Sequence, residues 1–210
     1  MFARPHTYMA LIALLLLSGC VSQREQVDIT GSEDFRDGDM VLRCGTGGES
    51  RLIIQRSHSA YSHIGMLQYD SLLGEWTVIH AVPGESAADE PEYIRRETLA
   101  EFFAPLKARQ GAWMRIDCSD EVAKRAAAYC RQKVDEGVLF DNAYLLEDTT
   151  ELYCCELVWR AYLREGIDVS DGKRYDVPTV ICKEGECIFP CNIENSKNTL
   201  FVKQFKTKQS

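Results

Sequence analysis

The chain has 210 residues, 45% of them hydrophobic and 27% charged, a composition suited to one packed domain with a sizeable core rather than to two full domains or a disordered chain. Its formal charge is -8, and since residues 1–19 carry one Arg and no acid, the remainder is one unit more negative. That balance excludes a basic nucleic-acid surface and a broadly basic membrane-docking face, so no nucleic-acid partner is expected.

Arg4 precedes an apolar run from Met9 to Leu17, followed by Leu17-Ser18-Gly19-Cys20. A membrane-spanning helix needs roughly 20 apolar residues, so this shorter run reads as a signal peptide over 1–19. Leu-Ser-Gly-Cys resembles the lipobox of bacterial lipoproteins. The resemblance implies cleavage before Cys20, acylation there, and an exported protein anchored in the cell envelope, in the outer membrane or facing the periplasm. Residues 20–34 then read as a polar tether, and 35–210 as the functional domain.

Asp37-Gly38-Asp39 signals a turn before a short strand at Met40-Val41-Leu42, and the polar, Gly-rich stretch that follows, Cys44 to Ser59, reads as a loop. Ser62 to Tyr69 and Glu75 to Val82 have strand character and flank a loop of about four residues, as in a β-hairpin. With Tyr69 and Gly74 closing that loop, His63 stands directly opposite His80 on one face, Cβ atoms roughly 4.5 to 5.5 Å apart. Thr98 is placed to cap a short helix carrying Leu99, Phe102 and Phe103, and Trp113 to Ile116 reads as a strand. Ser119 caps a longer helix in which Val122, Ala126, Cys130 and Val134 recur every four residues and which Gly137 ends. Another helix is expected from Cys154 to Glu165, with Val158, Ala161 and Tyr162 inward, and Leu200 to Phe205 alternates like a closing strand. Strands and helices are segregated, so the fold class is α+β around a mostly antiparallel sheet packed against helices.

The sequence has nine cysteines and four histidines. Cys154 begins a helix, where the unpaired N–H groups and the helix dipole stabilise a thiolate and a nearby imidazole lowers the thiol pKa further. Packing alone also explains many cysteines at helix starts, and it is the paired histidines that favour chemistry here. Cys182, Cys187 and Cys191 bracket Lys183 to Glu186 in a second hairpin; with no histidine nearby in sequence, no metal site is expected there. His58 lies in the polar loop and is expected in solvent.

Asp37-Gly38-Asp39-Met40-Val41, Tyr61-Ser62-His63-Ile64-Gly65-Met66, Val78-Ile79-His80-Ala81, Phe140-Asp141 and Tyr153-Cys154-Cys155-Glu156-Leu157-Val158 resemble, in this order, the motifs of the YiiX/YaeF-type permuted papain-like hydrolases, relatives of NlpC. The similarity extends to Ile188-Phe189-Pro190 and Asn195-Ser196. It implies a circularly permuted papain-like (NlpC-like) fold, with Cys154 as nucleophile, His63 as general base and His80 as the third, orienting residue, and no cofactor. Many relatives have Ser or Thr where Cys155 stands, so Cys154 is chosen over its neighbour by alignment to Tyr-Cys-x-Glu-Leu-Val. Several have Glu in place of His80, whereas lecithin:retinol acyltransferase-like proteins share the second histidine.

The expected activity is hydrolysis of an amide in a peptide-like or cell-wall substrate by a cysteine peptidase or amidase. The alternatives are an acyltransferase or lipase acting on acyl-lipid bonds and a non-catalytic binding lipoprotein. The backbone N–H of Cys154 is the first oxyanion donor; Tyr61, Tyr144 and Tyr153 are candidates for a second. Cys154 is expected to approach the histidines on their own sheet face, its sulfur within hydrogen-bonding reach of His63.

Overall fold

A computed structural model describes residues 25–30, 34–176 and 186–209. In chain order its elements are β1 (Glu25–Asp28), β2 (Met40–Gly45), α1 (Gly48–Ser57), β3 (His63–Asp70), β4 (Glu75–His80), β5 (Arg95–Thr98), α2 (Leu99–Phe102) and β6 (Ala108–Ile116), then α3 (Asp120–Asp135), α4 (Cys154–Leu163), β7 (Tyr175–Asp176), β8 (Glu186–Cys187), α5 (Pro190–Glu194) and β9 (Thr199–Gln209). Seven strands form one antiparallel sheet in the order β1-β9-β6-β2-β3-β4-β5, and β7 pairs with β8 separately. The architecture is α+β, as the segregation of strand and helix signals requires. The expected signal peptide (1–19) and Cys20 lie outside the described residues.

The sheet is covered on both faces. Alternate residues of β2 to β4, among them Met40, Leu42, Ile64, Met66 and Ile79, pack with Ala126, Cys130, Leu157, Val158 and Tyr162 of α3 and α4. On the other face Val41, Leu67 and Val78 pack with Phe102, Phe103 and Trp113. Both expected helix caps form: Ser119 accepts from the N–H of Val122, and Thr98 forms a reciprocal capping box with Glu101. Gly38 (φ +88°) cannot be exchanged for a larger residue, since a Cβ there would lie 2.5 Å from the backbone oxygen of Ala123. The turn is thereby pressed against α3, and the Gly38 carbonyl accepts from the buried Tyr162 hydroxyl at 2.5 Å.

Several local readings are corrected. Within the segment read as a tether (20–34), Glu25–Asp28 is an outer strand, held by pairing with β9 and by burial of Val27. The loop expected over 44–59 contains α1; its apolar signal is weak because only Ile53 and Ser57 are buried, and it ends at His58 in the left-handed region (φ 53°). In the β3–β4 hairpin Asp70 pairs with Glu75, not Tyr69 with Gly74. The Asp70 carboxylate accepts from the N–H groups of Leu72 and Leu73 at 2.9 and 3.2 Å, and Gly74 (φ +71°) belongs to the turn. Every partner therefore shifts by two residues. An even shift preserves the face, so His63 and His80 become diagonal neighbours on one side of the sheet. The second hairpin is represented by the pairing of Tyr175 with Cys187; Cys182 lies outside the described residues, and Cys187 and Cys191 are buried.

Candidate active site

His63 opens β3, His80 closes β4, and both are buried. Gly65 makes their approach possible: a Cβ there would lie 2.3 Å from a Val78 methyl carbon and 3.2 Å from the Cβ of His80. In the space left, His63 Nε2 and His80 Nδ1 hydrogen-bond at 2.8 Å. Phe102, fixed by the Thr98 capping box, stacks near-parallel on the His63 ring at 5.7 Å and meets His80 edge-on at 5.2 Å. These contacts hold both imidazoles against rotation.

Behind His80 stands a charge cluster with no counterpart in the sequence reading. Glu97 of β5 brings Oε1 to 3.0 Å from His80 Nε2, although the pair is not aligned as a hydrogen bond. Glu97 is held in turn by Lys107 at 2.6 Å, and Arg43 lies 3.8 Å away. Arg43 sits 4.5 Å above the Phe102 ring, donates to the Phe102 carbonyl at 2.8 Å and pairs with Glu85. Two cations and two carboxylates cancel locally. Burial, reinforced by the positive charge of Arg43, keeps His80 well below the usual histidine range, so it is neutral. Glu97 favours the tautomer with the proton on Nε2, leaving Nδ1 to accept from His63 Nε2–H and His63 Nδ1 for the thiol.

Cys154 is the first residue of α4, a helix with no side-chain cap, whose first-turn N–H groups are thus open to a ligand. His63 and the Ile64 N–H both lie near enough to the thiol to lower its pKa, and the two side chains line one cavity. It does not come from the expected sheet face. α4 packs on the face opposite Phe102, and Cys154 meets His63 around the end of β3, where the strand begins. The Cys154 thiol is pulled well below the usual cysteine range, first by hydrogen bonding from Cys155, 3.9 Å away sulfur to sulfur, and then by His63, against the opposing effect of burial. Cys155 is pushed the other way by burial and stays a thiol. Burial also pulls His63 down to about 4, with the Cys154 charge opposing. The two groups titrate as a pair.

The other residues of the motifs and the candidate donors are placed as follows. Glu156 turns into the core, paired with Arg160 at 2.7 Å, and burial lifts its carboxyl to about 8. Asp141 accepts from the N–H groups of Ala143 and Leu145, shaping the loop that carries Tyr144 to the site. The hydroxyls of Tyr144 and Tyr153 are engaged by Glu49 and by the Ile188 N–H, and Tyr61 is core. His58 is exposed, away from the thiol.

A cavity of about 460 Å³ opens beside Cys154 and His63, lined on one side by apolar groups such as Ile53, Val82, Phe140 and Phe189 and elsewhere by the charged Arg43, Glu49, Glu85 and Lys107, with the α1 N-terminus on one wall. The chain is similar to one solved structure in particular, metalloprotein yiiX from Escherichia coli O157:H7, with a TM-score of 0.64 at 20% identity, covering 80% of this chain and 97% of that one. The fold is yiiX-like. No family model and no curated protein matches the chain.

Proposed function

We propose that this protein is a cysteine hydrolase with a permuted papain-like site, Cys154 as nucleophile, His63 as base and His80 orienting it, in an envelope lipoprotein acylated at Cys20. The observation that carries the reading is the juxtaposition of Cys154, His63 and His80, with the 2.8 Å contact between the two imidazoles and His63 lowering the Cys154 pKa. The Cys154 sulfur attacks a carbonyl carbon, and the one proton that the Cys154–His63 pair shares passes by way of His63 to the departing amine or alcohol. A thioester remains. Water, losing a proton to His63, attacks the thioester carbonyl, and the acid product leaves as Cys154 is restored. The Cys154 N–H is placed at the helix start to receive the oxyanion.

The yiiX protein is described as a metalloprotein. The residues here do not fit a metal: among the described residues no three His, Cys, Asp or Glu side chains converge to hold one, and the two imidazoles direct nitrogens at each other.

The expected bond is an amide in a peptide-like or cell-wall molecule. A second reading, an acyl-lipid bond, is favoured by the apolar side of the cavity, where Ile53, Val82, Phe140 and Phe189 lie near Cys154. Purified protein incubated separately with muropeptides and with phospholipid vesicles separates them, with Cys154→Ala as the blank. Loss of both activities in the blank supports the nucleophile, and equal turnover in the blank overturns the reading. Fatty acid or lysophospholipid release with uncut muropeptides selects the second bond.

A further inference from the structure

The end of the sheet that bears the active site is also the end at which the chain enters it. Glu25, the first residue of β1, pairs with Gln209 at the far end of β9. Continuing from the Gly111–Phe205 pair, that end of β9 runs alongside the start of β6, where Ala108 pairs with Gly45 at the end of β2. His63 begins β3 and His80 ends β4 at this same end, whereas the β3–β4 turn, with Leu72 95% and Leu73 59% exposed, lies at the opposite end.

Only five peptide steps separate Cys20 from Glu25, a reach of roughly 18 Å even if fully extended. A lipid on Cys20 therefore holds the β1 corner of the active-site end near the bilayer. The surface there suits a membrane. Leu106, 67% exposed, lines the mouth of the cavity, and Arg109, Lys206 and Lys208 are exposed at the neighbouring strand ends of a chain whose net charge is -8. Lys208 is partly offset by Asp28 at 2.6 Å, while Arg109 and Lys206 have no such ion pair among the described residues.

We infer that the end of the sheet carrying Leu106, Arg109 and Lys206 rests on an anionic lipid surface, so that the cavity at Cys154 opens toward the headgroups. The inference rests on acylation of Cys20 and deepens the proposed function: the site draws on molecules presented at the membrane rather than on those diffusing freely. A thiol lining a cavity that opens toward the membrane gains local substrate concentration from such an orientation, and the short link makes the orientation a property of the chain.

The test is hydrogen exchange on the full-length lipoprotein in phosphatidylethanolamine–phosphatidylglycerol vesicles, against Cys20→Ser in the same buffer. Amides in 45–49 and 104–109 are expected to exchange at least threefold more slowly on the vesicles, with 71–74 unchanged. Inserting about fifteen Gly and Ser residues between Cys20 and Glu25 should abolish the slowing without altering turnover of a soluble thioester. Slowing confined to 71–74, no slowing, or slowing that survives the spacer overturns the inference. An intact mass without acyl groups on Cys20 also overturns it, leaving the hydrolase reading to the Cys154→Ala comparison. Failure of that comparison with protection intact removes the chemistry and leaves the orientation.

Discussion

Strand β2 is flanked by two buried acid–arginine clusters that differ in how completely they are satisfied. At its start the Asp39 carboxylate accepts from Arg115 Nε and Nη2, both at 2.7 Å, from Trp113 Nε1 at 2.9 Å and from the Arg36 N–H at 3.1 Å. Both oxygens are engaged, Oδ1 once and Oδ2 three times. One atom in that cluster, Arg36 Nε, has no hydrogen bond. At the other end Arg43, Glu85, Glu97 and Lys107 surround His80, and Arg43 Nε, His80 Nε2 and Glu97 Oε1 have no aligned hydrogen-bond partner among the described residues. A buried polar group without a partner costs about 1–3 kcal/mol. The cluster that leaves more of its buried atoms without an aligned partner is the one around His80. Satisfaction distinguishes the two clusters more sharply than charge does.

The comparison is broken most strongly by Asp39→Ala. Stripping the acid from its arginines leaves buried, uncompensated charge, and a loss of about 3–5 kcal/mol is expected in urea unfolding. Turnover per folded molecule should be unaltered; a parallel fall in turnover would show that the two ends are not independent. Glu97→Gln reverses the pattern. Its stability cost should be smaller, while turnover drops roughly tenfold, a fraction of the 10²–10⁴ that a general base supplies. Glu97 acts through His80, so the acid limb of the rate profile should also move to lower pH as a negative charge near the imidazoles is lost. A stability loss with an unchanged pH profile would make Glu97 structural. Leu72→Ser, at the exposed turn away from both clusters, should change the urea midpoint by no more than about 0.5 kcal/mol and leave turnover unchanged.

Local rules made much of this legible. Ser119 and Thr98 cap helices through contacts three residues away, and Cys154 stands at a helix start because apolar residues recur along 157–162. His63 and His80 share a face because hairpin parity survives a shift of two residues. The shift itself was hidden, since it depends on whether the Asp70 side chain joins the turn. Glu97 was invisible for a different reason: Arg95-Arg96-Glu97-Thr98 is wholly polar and only partly exposed, and it is a strand because the edge of β4 pairs with it. Arg43 reads as a surface residue until the Phe102 ring closes over it. The side from which Cys154 arrives depends on how α4 packs on the sheet, which no spacing encodes.

The central claim is that Cys154 and His63 form one titrating nucleophilic pair beside an inert Cys155. It is tested most directly by the rate of iodoacetamide alkylation from pH 3.5 to 9, read by peptide mass for wild type, Cys154→Ala and Cys155→Ala. Because the Cys154 pKa is depressed, its reactive form persists as pH falls below the usual thiol range. The pair then takes up its second proton as pH drops through the lowered His63 titration, near 4. The account predicts fast, nearly level labelling of Cys154 across pH 5–8, decline toward pH 4, loss of this phase in Cys154→Ala and its survival in Cys155→Ala, slowed by less than tenfold. A rate rising about tenfold per pH unit up to roughly 8.5, as for an unperturbed thiol, or a fast phase that disappears only with Cys155, would contradict it.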